Sequence, residues 1–219
     1  MQQPGLRESE NAVALLGDCH PLLEQLGLTE GLVTLASAAG VLRVPQVTTL
    51  ESLMEFLDAY KGKLLLAVEL PSIQRAYHHA CGNQTRELIA LDQEISKMKI
   101  PRDFASASQR VGRGQLRRLR PLRDERVAQR YLRAVEDTRA HGWHTLVYGL
   151  TLALYSVPIR QGLLNYARYA LSGFVHAAAR TLQLSETFCR KLVESFCEDI
   201  PQRLEALLNK DKAQGFHSV

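Results

Sequence analysis

The run WHTLVYGLTLALYSVPIRQGLLNYARYALSGFVHAAARTLQL, Trp143 to Leu184, decides the fold. Only three of its side chains are charged, Arg160, Arg168 and Arg180, and its apolar residues return at helical spacing. Leu146, Leu150, Ala153, Leu154 and Val157 share one face of a first helix. Leu163, Ala167, Ala170, Leu171, Phe174, Ala178 and Leu182 share one face of a second. Pro158 divides the two: it forces the residue before it out of helical geometry and suits the first turn of the helix that follows. Other helical stretches carry more charge, so they are expected to pack around this pair.

Upstream, a helical pattern runs from Pro21 to Ala39, with Gly40 suited to cap it. Thr48-Thr-Leu-Glu51 has capping-box spacing and predicts a helix that stops near Lys61-Gly62. Residues 63–81 are helical with a kink or break expected at Leu70-Pro71, and Gly82-Asn83 ends them. Thr85 to Met98 places Leu88, Leu91 and Ile95 inward. Asp103 and Asp124 are candidate caps for helices ending near Arg120 and His141. Downstream, Ser185 caps a helix through Phe188, Leu192, Val193 and Phe196, and Pro201 starts a short last one. No segment alternates as a half-buried strand does. The chain is therefore read as all-α: one bundle of about nine or ten helices over residues 21–209, with a flexible segment at 1–20 and a mobile tail at 210–219.

A composition of 46% hydrophobic and 23% charged residues fits an ordinary soluble domain. The apolar runs are shorter than the roughly 18 residues of a membrane span, and Arg168, His176 and Arg180 would lie at membrane depth. Core helices are the reading, with no membrane partner. MQQPGLRESENAVALLGD lacks the basic start and apolar stretch of a secretory signal, so a cytoplasmic location is expected. Cys19, Cys81, Cys189 and Cys197 form no CxxC pair and are read as buried, reduced thiols.

The basic stretch RVGRGQLRRLRPLRDERVAQRYLR, Arg110 to Arg133, sets nine arginines against Asp124 and Glu125. Three readings stand: a solvated face, a protein-binding face, or a nucleic-acid-binding one. The aromatic interleaving of single-strand binders is missing, with only Tyr131 present. His78 and His79 are adjacent and cannot chelate one ion together; His141 and His144 straddle Gly142. Structural histidines are the reading at each position. No GxSxG, Walker or Rossmann pattern occurs, and no catalytic residue is assigned. One polar stripe crosses the second central helix: Asn165, Arg168 or Tyr169, Ser172, His176 and Arg180, flanked by Gly162, Ala167, Ala170, Gly173 and Ala177 to Ala179. It faces either solvent or a wet interface or channel.

With the helices placed, the sequence resembles the UreF family of urease accessory proteins over about residues 28–218. GLVTLASAAGVLRVPQVTTLESLMEFLDAY is similar to the family's Gly-Leu-Glu segment and Thr-Leu helix start, with Val33 in place of the glutamate. Leu70-Pro71 followed by Ala76 matches a Leu-Pro pattern. ELIALDQEISKMKIPRDFASASQRVGRGQLRRL resembles a Leu-Asp helix followed by Ser108, Gly112 and Arg113 as Ser-x-x-x-Gly-Arg. His144, Tyr148-Gly149, Pro158, Leu164, Tyr166, Ala177 and Arg180 fall where the family places such residues, and Phe216-His217-Ser218 resembles its terminus. Ser185-Glu186 stands in place of a Gly-Gln pair, and the N-terminal Leu-Pro-x-Gly-x-Phe signature is absent.

The resemblance implies an all-helical, dimeric, non-enzymatic maturation factor. It would sit between a UreD/UreH-type scaffold and a UreG-type GTPase, regulate the GTPase, and assist nickel delivery to the urease apoprotein. Nickel would be handled by the complex, with no cofactor bound stably here. Arg110, Gly112, Arg113, Arg117, Ser172, His176, Arg180, Phe216 and Ser218 are the candidate partner-binding residues. A helical nucleic-acid-binding protein using Arg110–Arg133 is the alternative.

Overall fold

The computed structural model describes residues 35–99, 105–122 and 124–213, and every element among them is helical. In chain order these are α1 (Leu35–Leu42), α2 (Leu50–Tyr60), a π-helical segment (Lys61–Glu69), α3 (Leu70–Cys81), α4 (Thr85–Lys97) and α5 (Ala105–Arg118). Then follow α6 (Arg126–Glu136), α7 (His144–Leu154), α8 (Ile159–Leu182), α9 (Glu186–Cys197) and α10 (Ile200–Ala213). The protein is all-α, as its sequence pattern implies. Residues 1–34, the Asp103 cap, Cys19, Phe216 and Ser218 lie outside the described residues.

The central pair is α7 and α8, with Pro158 at the N-cap of α8. Every residue of α7 from His144 to Leu152 is buried, so it has no solvent face at all, rather than the single apolar face its spacing predicts. Burial on all sides explains why it carries no charge. Helix α8 buries Leu163, Ala167, Ala170, Leu171, Phe174 and Ala178 as expected, and leaves Arg168, His176 and Arg180 exposed.

The core has two halves that meet along α3 and α7. One side gathers α1, α2, the π-helical segment, α8, α9 and α10 around Leu53, Phe56, Leu57, Leu65 and Phe174, joined by Leu70, Ile73, Tyr148 and Leu152. The other gathers α4, α5 and α6 around Leu88, Leu91, Leu116 and Tyr131, joined by Ala76, Leu146, Val147 and Leu150. Phe174 meets the Phe56 and Tyr60 rings edge-on, with centroids 5.0 and 4.7 Å away.

Close helix approach makes this partition possible. A Cβ on Gly149 would lie 2.4 Å from the Ile73 carbonyl oxygen and 2.9 Å from the Ala76 Cβ. One on Gly112 would lie 2.1 Å from the Gly142 carbonyl oxygen. Both glycines are places where another backbone occupies the side-chain position.

Several boundaries differ from expectation. The capping box belongs to Thr49 and Ser52, one residue later than its spacing suggests. No stop occurs at Lys61-Gly62, and no break at Pro71: Tyr60, Lys61, Glu69 and Leu70 all hold right-handed helical angles. The ladder widens instead into π turns, with Leu70 N–H reaching the Leu65 carbonyl. Pro71 falls in the first turn of α3, where a missing donor is tolerated. Gly40 lies inside α1, and Arg43 makes the turn beyond it at φ 56°. Helix α6 starts at Arg126 after Glu125, not at an Asp124 cap, and it ends at Glu136. Ser185 does cap α9, its Oγ accepting from Phe188 N–H, but Phe188 itself is exposed. The last helix is not short, and its backbone runs to Ala213, into the stretch read as tail. Cys189 is buried, Cys197 half-buried and Cys81 exposed, so the thiols among the described residues are free but not uniformly buried.

Gly149→Ala is expected to cost about 3 kcal/mol by overpacking α7 against α3. Gly114→Ala, at a helical position with nothing within 4 Å, should instead stabilise by about 0.5–1 kcal/mol. Urea midpoints of the two variants, moving in opposite directions, check the assignment.

Candidate functional site

Three of the residues that carry the family resemblance meet in the interior. Ser108 on α5, His144 at the start of α7 and Tyr166 on α8 form one hydrogen-bonded chain. Ser108 Oγ lies 2.5 Å from His144 Nδ1, and His144 Nε2 lies 2.6 Å from Tyr166 Oη. The His144 backbone N–H also donates to Ser108 Oγ at 3.3 Å. Tyr166 continues to the Glu69 carboxylate, and Tyr60 Oη donates to Glu69 Oε2 at 2.6 Å. Tyr148 packs on Tyr166 with centroids 5.2 Å apart and donates to the Gly162 carbonyl at 3.1 Å. Five elements thus share one buried polar chain: α2, the π-helical segment, α5, α7 and α8.

The bonding partners fix its direction. Glu69 as a carboxylate can only accept, so Tyr166 O–H donates to it. Tyr166 Oη then accepts from His144 Nε2–H, and His144 Nδ1 accepts from Ser108 O–H. Both imidazole nitrogens are engaged, which leaves neither free for a metal. Burial pulls the His144 imidazole down to about 3, so it is neutral. Burial also pushes the Glu69 carboxyl up to about 7, against the two tyrosine hydrogen bonds that favour its charged form. Beside this chain is a cavity of about 30 Å³, enough for about one water. Glu69, Ser108, His144, Thr145, Leu64 and Trp143 line it. Among the described residues no group of three His, Cys, Asp or Glu side chains could hold a metal.

A second knot forms around Asp92 of the Leu-Asp pattern. Its carboxylate accepts from Tyr131 Oη at 2.7 Å, from His141 N–H at 2.7 Å and from Gly142 N–H at 2.9 Å. His141 Nδ1 lies 2.9 Å from the same carboxylate and 2.9 Å from Ser96 Oγ, and Trp143 Nε1 donates to Ser96 Oγ at 2.8 Å. Arg113 Nε donates to the His141 carbonyl at 2.9 Å. The knot pins the turn that launches α7, so His144 enters the core at a fixed place.

The candidate partner-binding residues divide accordingly. Gly112 is buried beneath the Gly142–His144 turn, a packing position. Arg113 is exposed but ties down the same turn. Arg110 and Arg117 lie on the exposed side of α5. Arg120 and Arg139 are taken up by Glu136 and Asp137. On α8, His176 Nδ1 lies 2.8 Å from the Ser172 carbonyl and 3.1 Å from its Oγ; Ser172 is half-buried, and His176 and Arg180 are exposed. Of the polar stripe, Arg168, His176 and Arg180 are thus exposed, while Tyr169, Ser172 and Asn165 are half-buried and the Asn165 Nδ2 is enclosed. Sequence reasoning missed Glu69 and Tyr60, and met Asp92 only as part of the Leu-Asp pattern, with no role assigned to it. Glu69 is the lone acid in the apolar run Leu64-Leu-Leu-Ala-Val-Glu-Leu70, and Asp92 lies in register with Leu88 and Ile95. An acid at an apolar position was the available signal for both.

The architecture is that of a helical protein whose core polar groups lock helices to one another. A family model described as UreF matches residues 47–196, more than half of the chain, and spans α2 to α9 almost to its end. The chain belongs to the UreF family, whose members are urease accessory proteins, chaperone-like and not enzymes, working with other accessory proteins in urease maturation. Among the described residues, no helix is long and apolar enough to cross a membrane.

The two buried titratable groups give opposite pH limbs. Folded Glu69 keeps a proton that the unfolded chain releases at 4.5, so stability falls as pH rises from 4.5 to about 7, by about 3 kcal/mol. Folded His144 refuses until about 3 a proton that the unfolded chain binds at 6.5, so stability also falls as pH drops through that window. Between 4.5 and 6.5 the two effects nearly cancel, so urea midpoints should stay almost level there and fall as pH drops further. Glu69→Gln removes the compensation, and its midpoint should fall with pH from 6.5 downward; a variant that keeps the level stretch would assign the compensation elsewhere.

Proposed function

We propose that this chain is the UreF-type component of a urease maturation complex in the cytoplasm. In this reading it is a homodimer that joins a UreD/UreH-type scaffold to a UreG-type GTPase and regulates the GTPase step. The assembled complex inserts nickel into the urease apoprotein, with the metal passing as cargo. The observation that carries the reading is the family match over residues 47–196, which includes the whole Ser108–His144–Tyr166–Glu69 chain. Two exposed features supply candidate contacts. Arg110, Arg113 and Arg117 on α5 offer guanidinium groups to an acidic partner surface, and Ser172, His176 and Arg180 on α8 offer a polar strip for a second copy or an ion route.

Co-expression with urease, a scaffold and a GTPase tests the whole reading: leaving this chain out should yield urease lacking nickel and activity. Arg117→Glu tests the arginine face. It sits in the last turn of α5, so the reversal costs about 1 kcal/mol of stability and should leave the fold intact. GTPase captured with the variant should fall at least several-fold while scaffold capture persists; equal capture would remove the arginine face from the reading. Ser172→Leu with His176→Leu should weaken self-association about tenfold by sedimentation if the strip is the dimer contact, and an unchanged mass distribution would assign it to solvent.

A further inference from the structure

The π-helical segment is bracketed by a single hydrogen bond. Tyr60 precedes its first residue and Glu69 is its last, and the Tyr60 hydroxyl reaches the Glu69 carboxylate across all nine residues between Lys61 and Glu69. Its outward lysines tie it to both ends of the described chain. Lys63 Nζ donates to the Leu42 carbonyl at the end of α1 at 2.9 Å. Lys61 Nζ reaches Asp199 Oδ1 at 3.1 Å, between α9 and α10, and lies over the Phe196 ring. Inward, Glu69 ends the Ser108–His144–Tyr166 chain, and the cavity touches Glu69, Ser108 and His144.

We propose that Glu69 is a proton-binding site, loaded through water in this cavity, whose occupancy reverses the hydrogen-bond chain to Ser108 and loosens the brace across the π-helical segment. The proton balance closes without any other reactant. A solvent proton arriving as hydronium at the cavity passes to Ser108 Oγ, leaving neutral water, as Ser108 passes its own to His144 Nδ1. His144 Nε2 releases its proton to Tyr166 Oη, and Tyr166 passes its own to Glu69. One proton enters and one carboxylate becomes a carboxylic acid. Every bond in the chain now points the other way, and His144 remains neutral but carries its proton on Nδ1. Glu69 then donates to Tyr166 and becomes a poorer acceptor for Tyr60. The brace weakens at the one contact spanning the π turns, and the ties through Lys61 and Lys63 carry the change to α9–α10 and α1.

The surroundings suit such a site. From α2 the group facing Glu69 is Tyr60, and from α8 it is Tyr166, with Tyr148 and His144 of α7 behind it. Helix α5 contributes uncharged Ser108, and α4 contributes only Ile95 to the cavity wall. Lys61 and Lys63 of the segment itself are turned to Asp199 and Leu42. Among the described groups, no cation neutralises the carboxylate. Burial places its titration near 7, inside the range a cell varies.

The test is nitrogen-15 NMR of histidine-labelled full-length protein, with His144 assigned by its loss in His144→Asn. The His144 proton should move from Nε2 to Nδ1 as pH falls through about 7, a tautomer swap that a purely structural network would not make. Glu69→Gln, which donates to Tyr166 at every pH, should hold the Nδ1–H form throughout. If that variant does not fold, Tyr166→Phe serves, because it cuts the chain and should abolish the swap. One unchanging tautomer in the wild type overturns the proposal. Hydrogen exchange reads the second half: corrected for the pH dependence of chemical exchange, amides of residues 65–70 should open about tenfold faster in the acid form, and in Tyr60→Phe at any pH. Equal protection in both forms would overturn the link to the π-helical segment.

Discussion

The near contact of the α7 backbone with α3 is the constraint from which the rest of the structure follows. Gly149 allows it, since any side chain there would strike the Ile73 carbonyl. Helices that touch backbone to backbone enclose the inner one completely, and α7 is buried from His144 to Leu152. An enclosed helix has no bulk water for its polar groups, so each must find a partner inside the fold. Thr151 bonds back to the Val147 carbonyl at 2.7 Å. His144 cannot satisfy itself locally, and it draws Ser108 from α5 and Tyr166 from α8. Gly112 then lets α5 come close enough to the 142–144 turn for Ser108 to reach.

Two buried acids carry different duties because different donors surround them. Asp92, fully buried, meets two backbone N–H groups of one turn as well as Tyr131 and His141, so its carboxylate acts as a peg holding that turn. Glu69 meets tyrosine hydroxyls. Backbone amides can only donate, whereas a hydroxyl can donate or accept. A carboxyl among hydroxyls therefore has two compatible hydrogen-bond arrangements, charged and neutral.

Much of the fold was readable from the chain because helical periodicity and proline position are local signals. The division at Pro158, the α4 face of Leu88, Leu91 and Ile95, and the Ser185 cap of α9 all follow from residues within a turn or two. The continuous rod from Leu50 to Cys81 was not readable, because Gly62 and Pro71 are breakers by intrinsic preference and the packing around them overrides it. The buried chain was half legible. Its members Ser108, His144 and Tyr166 stood out through the resemblance, but their meeting spans separations of 36 and 22 residues that no local pattern encodes. Glu69 and Asp92 were hidden for another reason: periodicity marks apolar positions, and an acid in such a position reads as an exception until its donors are seen.

Where the family-matched residues lie also bears on how this chain meets its partners. Ser108, Gly112, His144, Tyr148, Gly149 and Tyr166 are all buried, and each has a packing or hydrogen-bonding partner inside the same chain. Such residues preserve a shape, and through Arg113 and Asp92 they preserve one turn in particular. In the function proposed above, partner choice resides in side chains that reach outward from that shape. Arg117 on α5 and His176 on α8 do so, each on a helix whose inner face is fixed by the shared core, while Arg180 is a family-matched residue that is itself exposed. A chain can therefore keep the family's interior and change its contacts, because exposed positions on a rigid helix alter charge and shape with little effect on the packing beneath.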